Sequence, residues 1–133
     1  MSEAPLIAVV DDDVAVANSI IALLKSDGFH ARMFTSAEAF LGDTGNSDYC
    51  CLIVDWLLPG MSGAALCRRM IGKAPIIFMT GAYLESRRVS AVAGGEVEFL
   101  SKPFDPEQLL ATIARVCGEL EVVPDLALGA GEF

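Results

Sequence analysis

The chain has 133 residues, 53% of them hydrophobic and 20% charged, enough for one domain with a proper core and too few for two ordinary ones. Eighteen acids against nine bases leave a net charge of −9, which argues against direct binding of nucleic acid or an anionic membrane surface, because both need a basic footprint. No apolar run approaches the roughly 18 residues of a membrane span, and Met1-Ser2-Glu3-Ala4-Pro5 lacks the basic start and apolar core of a secretion signal, so a cytoplasmic protein is expected.

Residues 6–10 are a short apolar run that ends on Asp11-Asp12-Asp13, the pattern of a buried strand with acids at its carboxyl end. Ala17, Ile20, Ile21 and Leu24 have helical spacing and predict a helix over 14–27, with Asp13 as its N-cap and Gly28 as its stop. Residues 30–34 read as a strand. Residues 36–41 read as a short helix, capped by Ser36 and ended by Gly42. After a polar loop comes the stretch around which the chain is organised. A predicted strand over 49–54 runs into Asp55, and Pro59-Gly60 then turns the chain into a helix over 62–71. The apolar strand 75–79 closes on Thr80-Gly81. A weaker helix over 84–93 is rich in Ser and Val. A short strand over 97–100 leads to Ser101-Lys102-Pro103, and a helix over 105–117 carries Leu109, Leu110, Ile113 and Val116. The expected domain is 1–120, with 121–133 as a tail or linker.

Four cysteines, Cys50, Cys51, Cys67 and Cys117, show no C-x-x-C spacing, and His30 is the only histidine. A zinc site is therefore not expected. Reduced cysteines filling small core positions are, with Cys50 and Cys51 on opposite faces of one strand.

Five strands and five helices in strict alternation predict an α/β fold, a doubly wound parallel sheet with helices on both faces. In such a sheet, ligands gather outside the carboxyl ends of the strands. Asp11, Asp12, Asp55, Thr80 and Lys102 all follow predicted strands. Crowded carboxylates repel one another, and a hard cation such as magnesium relieves the repulsion. A lysine ammonium pairs with a further anionic oxygen, and a threonine hydroxyl donates to one. Together these are the parts needed to place a phosphoryl group on a carboxylate nucleophile. Each feature alone has a plain structural role, as helix cap, strand exit or solvated lysine; the phosphoryl reading accounts for the whole set.

With its motifs in this order the chain resembles, over about residues 5–117, the receiver domain of two-component response regulators. The motifs are the acid pair in Val10-Asp11-Asp12, Val54-Asp55 followed by Pro59-Gly60-Met61-Ser62-Gly63, Thr80-Gly81, and Lys102-Pro103-Phe104. The stretch Phe34-Thr35-Ser36-Ala37-Glu38-Ala39-Phe40-Leu41 is similar to FixJ-type receivers, which usually carry a helix-turn-helix output domain. The resemblance implies a flavodoxin-like or CheY-like sheet of five strands in the order 2-1-3-4-5. It implies that Asp55 is the phosphoacceptor and that the donor is a sensor histidine kinase or phosphotransfer protein. Magnesium would be held by Asp12 and Asp55 directly, by Asp11 mainly through water, and by the backbone carbonyl of Leu57. Thr80 and Lys102 would contact phosphoryl oxygens, and Thr80 and Phe99 would form the switch. A homodimer is expected through the fourth helix, fifth strand and fifth helix, with Arg87 and Arg88 facing acids such as Glu96, Glu98 or Glu107.

Leu57 and Ala82 stand where many receivers carry polar groups flanking the phosphoryl site, and Phe99 lacks a tyrosine hydroxyl. No output domain follows, which fits either a single-domain regulator or an excised receiver. Two other readings compete. A haloacid-dehalogenase-type phosphatase would use Asp11 as its nucleophile, but Ala15 occupies the fifth place of its motif and a late acidic pair is missing. A pseudo-receiver would bind a partner without phosphorylation, but such domains usually lose an acid or the lysine, and this chain keeps them.

Overall fold

A computed structural model describes residues 5–43, 49–70, 73–81 and 97–122. Among these residues the elements run β1 (Leu6–Val10), α1 (Val14–Ser26), β2 (His30–Phe34), α2 (Ala37–Gly42), β3 (Cys51–Asp55), α3 (Gly63–Met70), β4 (Ile76–Thr80), β5 (Val97–Ser101) and α4 (Pro106–Val122). The strands form one parallel sheet in the order β2-β1-β3-β4-β5, as expected. The predicted helix over 84–93 lies outside the described residues, as do Ala82, Arg87, Arg88 and Glu96.

The central strands are buried on both faces, which is why they read as unbroken apolar runs. Successive side chains point to opposite faces and so feed two cores. Ile7, Val9, Cys51, Ile53, Ile77 and Met79 pack with Ala17, Ile20 and Leu24 of α1 and with Leu109 and Ile113 of α4. Ala8, Val10, Leu52, Val54, Ile76 and Phe78 pack with Phe40 of α2 and with Leu66 and Cys67 of α3. β2 stands at one edge of the sheet, and none of its five residues is fully buried.

Local chemistry sets the element ends. Asp13 has extended backbone, and its carboxylate accepts the Ala15 and Val16 N–H groups, so it caps α1. Ser36 caps α2 by accepting the Ala39 N–H. Asp27 closes α1, and Gly28 follows it with φ +92°, a left-handed conformation that suits glycine. β3 ends on Asp55 itself, one residue later than its apolar run predicts. The last helix runs to Val122 rather than stopping at Cys117.

The expectation for the cysteines holds in part. Cys51 and Cys67 are buried free thiols; burial pushes Cys51 up to about 12, and burial also raises Cys67 against the opposing charge of Arg68. Cys50, however, lies just ahead of β3 and packs on the same face as Cys51, not the opposite one. Its sulfur is joined to that of Cys117, with Cα atoms 5.6 Å apart, so neither is the reduced thiol expected. The cause is tertiary: α4 packs across that face and carries Cys117 over the start of β3. A separation of 67 residues hides this in the sequence.

Candidate functional site

The carboxyl ends of β1, β3 and β4 and the loop after β5 bring the expected residues together. Asp11 follows β1, and its N–H bonds the Phe34 carbonyl of β2 at 2.9 Å. Asp55 is the last residue of β3, and its neighbour Trp56 donates its N–H to Met79 of β4 at 3.0 Å. Thr80 ends β4, buried, and its carbonyl accepts the Lys102 N–H at 2.9 Å. The Lys102 backbone is thereby fixed so that its side chain reaches back across the sheet. Lys102 Nζ lies 3.2 Å from Asp55 Oδ1 and 3.5 Å from Asp11 Oδ2. The Lys102-Pro103 peptide is cis.

The three consecutive acids have separate fates. The Asp13 carboxylate is used as a cap, and the Asp13 N–H donates to Asp11 Oδ1 at 2.9 Å. Asp12 is exposed. Asp11 is only 1% exposed, and among the described residues its Oδ2 has no close hydrogen bond, its nearest cation being the Lys102 ammonium at 3.5 Å. Burial raises the pKa of Asp11; the Asp13 N–H opposes this, the Asp55 charge adds to it, and Lys102 opposes it. Burial also works against the Lys102 ammonium, but Asp11 and Asp55 outweigh it and hold lysine above its ordinary value.

Ligand oxygens of Asp11, Asp12 and Asp55 all lie within 4.8 Å of one another. Together with an orphaned buried carboxylate oxygen this is a donor set suited to a hard, oxygen-seeking cation. Leu57, expected to lend its carbonyl, donates its own N–H to Asp55 Oδ1 at 3.3 Å, and the residue is 65% exposed. Phe99, on β5 beside β4, is half-buried and stacks on Phe78 with ring centroids 6.2 Å apart; Phe78 in turn meets Trp56 edge-on at 5.3 Å. An aromatic row therefore runs from the residue after Asp55 to Phe99. Glu98, one of the acids named as possible contacts across a dimer axis, pairs with Arg115 of its own chain at 2.8 Å.

Two contributors escape the reading of the sequence, one of them without any local signal. Phe78 reads as one more apolar strand residue; the alternation of β4 puts it on the face shared with Phe99, which a register argument could have found. Glu38, in the first turn of α2, accepts the Met61 N–H at 2.8 Å, and no local pattern signals a contact across 23 residues.

Residues 7–114 match the response regulator receiver domain, and the chain belongs to that family. It is 40% identical over 111 residues to the response regulator protein TmoT of Ectopseudomonas mendocina, covering 81% of this chain and 50% of that protein. It is 36% identical over 118 residues to the transcriptional regulatory protein FixJ of Bradyrhizobium diazoefficiens, covering 86% of this chain and 58% of FixJ. The chain thus spans about half the length of the curated relatives it matches. A response regulator receiver protein from Burkholderia phymatum superposes with TM-score 0.76 at 34% identity, over 86% of this chain and 95% of that one. A CheY-like receiver domain from Methanospirillum hungatei gives 0.79 at 28% identity, over 90% and 98%. The family is a signalling one, and the match gives no support to the phosphatase reading. Among the described residues no helix is long and apolar enough to cross a membrane.

Proposed function

We propose that this receiver domain accepts a phosphoryl group on Asp55 in a magnesium-dependent reaction and passes the change to an interaction face. The observation that carries the proposal is the convergence of Asp11, Asp12 and Asp55 on one point beside Lys102, at the end of a parallel sheet where ligands bind. Asp11, Asp12, Asp55 and the Leu57 carbonyl are the groups that would hold magnesium, which when bound neutralises negative charge on the phosphoryl oxygens. The donor is the phosphohistidine of a sensor kinase or phosphotransfer protein. A carboxylate oxygen of Asp55 attacks phosphorus, the bond from phosphorus to the donor nitrogen breaks, and its electron pair returns to the imidazole. An acyl phosphate results. Lys102, already 3.2 Å from Asp55 Oδ1, follows the new negative charge onto a phosphoryl oxygen, and the Thr80 hydroxyl donates to another.

Thr80 and Phe99 form the switch in this reading. A Thr80 hydroxyl drawn toward Asp55 changes the space available to Phe99, which already packs in the aromatic row behind the site. The face altered comprises the predicted helix 84–93, β5 and α4, and a homodimer through it is part of the proposal, with Glu98 and Glu107 among the acids it offers; Glu98 also pairs with Arg115. Residues 1–120 act as the receiver, in the cytoplasm, and 121–133 as tail or linker. Because relatives include a protein named as a transcriptional regulator, the output we propose is gene control through a segment other than this receiver.

The test is phosphorylation by a small phosphodonor with magnesium, read by intact mass. Wild type gains one phosphate and Asp55→Asn gains none. Labelling of Asp55→Asn at the wild-type rate sinks the assignment, and labelling that maps to Asp11 favours the phosphatase reading.

A further inference from the structure

We propose that Glu38 is the positioning residue of the acceptor loop. Reaching from α2, its carboxylate fixes the backbone of residues 56–62 in the shape that lets the Leu57 carbonyl and Asp55 share one cation. The inference rests on the metal-binding reading above and adds a residue from an element that contributes no ligand.

The geometry is specific. Glu38 Oε2 accepts the Met61 N–H at 2.8 Å, the length of a charge-assisted bond. A Cβ placed on Gly60 would lie 2.6 Å from that same oxygen and 3.2 Å from both Cδ and Oε1. The carboxylate therefore occupies the space a side chain at position 60 would take. Gly60 also has φ +70°, a conformation that favours glycine. The positive φ is what calls for glycine at position 60; the Glu38 carboxylate, the end of a flexible side chain, fills the space beside it.

The loop has few other ties. It is entered at Asp55, whose Oδ1 takes the Leu57 N–H, and left at Ser62, whose Oγ takes the Ala65 N–H at 3.1 Å. Between these points, among the described residues, Glu38 is the one side chain from outside the loop that hydrogen-bonds it. Leu58 and Met61 rest against the second core, which fixes where the loop lies; Glu38 fixes how its backbone turns. The base from which Glu38 reaches is rigid. Ala37 and Phe40 on either side of it are buried, Phe40 meets Phe34 edge-on at 5.3 Å, and Ser36 caps the helix. A carboxylate on so fixed a support limits the conformations the loop samples, and fewer conformations to lose means tighter binding of a cation that needs the loop carbonyl.

The experiment titrates magnesium chloride into wild type, Glu38→Ala and Glu38→Gln, reading emission of Trp56, the only tryptophan. Hydrogen exchange at the Met61 amide is measured in the metal-free proteins. Glu38→Ala should bind magnesium about three- to tenfold more weakly, the effect of losing one ordinary, solvent-exposed hydrogen bond. Glu38→Gln keeps an acceptor oxygen and should stay within about twofold of wild type. Met61 exchange should quicken in Glu38→Ala and not in Glu38→Gln. Unchanged magnesium affinity in Glu38→Ala overturns the proposal. So does a Glu38→Gln variant as weak as Glu38→Ala, which would make Glu38 a mere contributor of negative charge. If wild type itself shows no response to magnesium, the functional reading fails separately, and equal Met61 exchange in wild type and Glu38→Ala then overturns the loop assignment by itself.

Discussion

β3 begins at Cys51, fully buried, beside a Cys50 joined to Cys117 of the last helix; it ends at Asp55, facing an Asp11 whose Oδ2 is buried without a hydrogen bond. At the first end, Cys51 is buried in the core and Cys50 is bonded to Cys117. At the second, among the described residues, one buried carboxylate oxygen is left without a hydrogen bond beside two further acids. The sheet places both ends with the same regularity, so the difference lies in the side chains and not in the backbone. A buried carboxylate oxygen without a hydrogen bond, at the sheet end where ligands gather, marks a candidate site. Truncation should therefore cost stability at the packed end, and neutralisation should raise it at the other.

The largest effect is expected from Leu52→Ala. Leu52 is wholly buried in the second core, between Ala8 of β1 and Ile76 of β4. The lost contacts and the cavity should lower unfolding free energy by about 2–5 kcal/mol, read by urea melts. A loss below about 1 kcal/mol would mean the site relaxes freely and the packed end is not packed as described.

Cys51 gives a pH-dependent version of the same contrast. Its folded pKa is raised to about 12 from 9.0 by burial. The native state thus holds the thiol proton more tightly than the unfolded chain does. The stability this contributes is fully present below pH 9.0 and is lost as pH rises through about 12. Tyr49, raised mainly by burial, and Lys102, raised by its acid partners, titrate in an overlapping range, so the measurement is a difference. Cys51→Ala should lose less stability than wild type between those limits, by a few kcal/mol at most, since each tenfold change in proton affinity is worth about 1.4 kcal/mol. Parallel stability curves for the two proteins would show that the thiol is not sealed from solvent.

How far the sequence discloses the molecule follows from whether the signal is local. Strand order and the gathering of Asp11, Asp55, Thr80 and Lys102 are legible because alternation and apolar runs fix the sheet, and the sheet fixes where its carboxyl ends lie. Caps are legible too, since Asp13 and Ser36 act within three residues of themselves. What the sequence hides is long-range. Glu38 meets Met61, Cys50 meets Cys117, and Glu98 meets Arg115 only because separate elements pack. Asp11 and Asp12 are likewise indistinguishable as letters; the strand geometry buries one and exposes the other.

Asp11→Asn is the smallest expected change and the most discriminating, because its sign should reverse with the solution. In the metal-free protein Asp11 is raised, chiefly by burial. The native state prefers its protonated form, so the stability it contributes is full below 3.8 and is lost as pH rises through the raised value. Asparagine keeps an oxygen for the Asp13 N–H and removes the buried charge. At neutral pH without metal, the variant should be more stable than wild type by up to about 1 kcal/mol, the lower range for relieving an unsatisfied buried group. Magnesium should undo the advantage. We take a magnesium dissociation constant on the order of 1 mM, the weak end of the scale for divalent cations held by oxygen ligands. At about tenfold excess over that constant, mass action stabilises wild type by about 1.4 kcal/mol and the variant by much less. The two melting curves should therefore exchange order between chelator and magnesium. An order that holds in both solutions would show that the cost of the Asp11 charge is structural and would count against Asp11 as part of the proposed magnesium site.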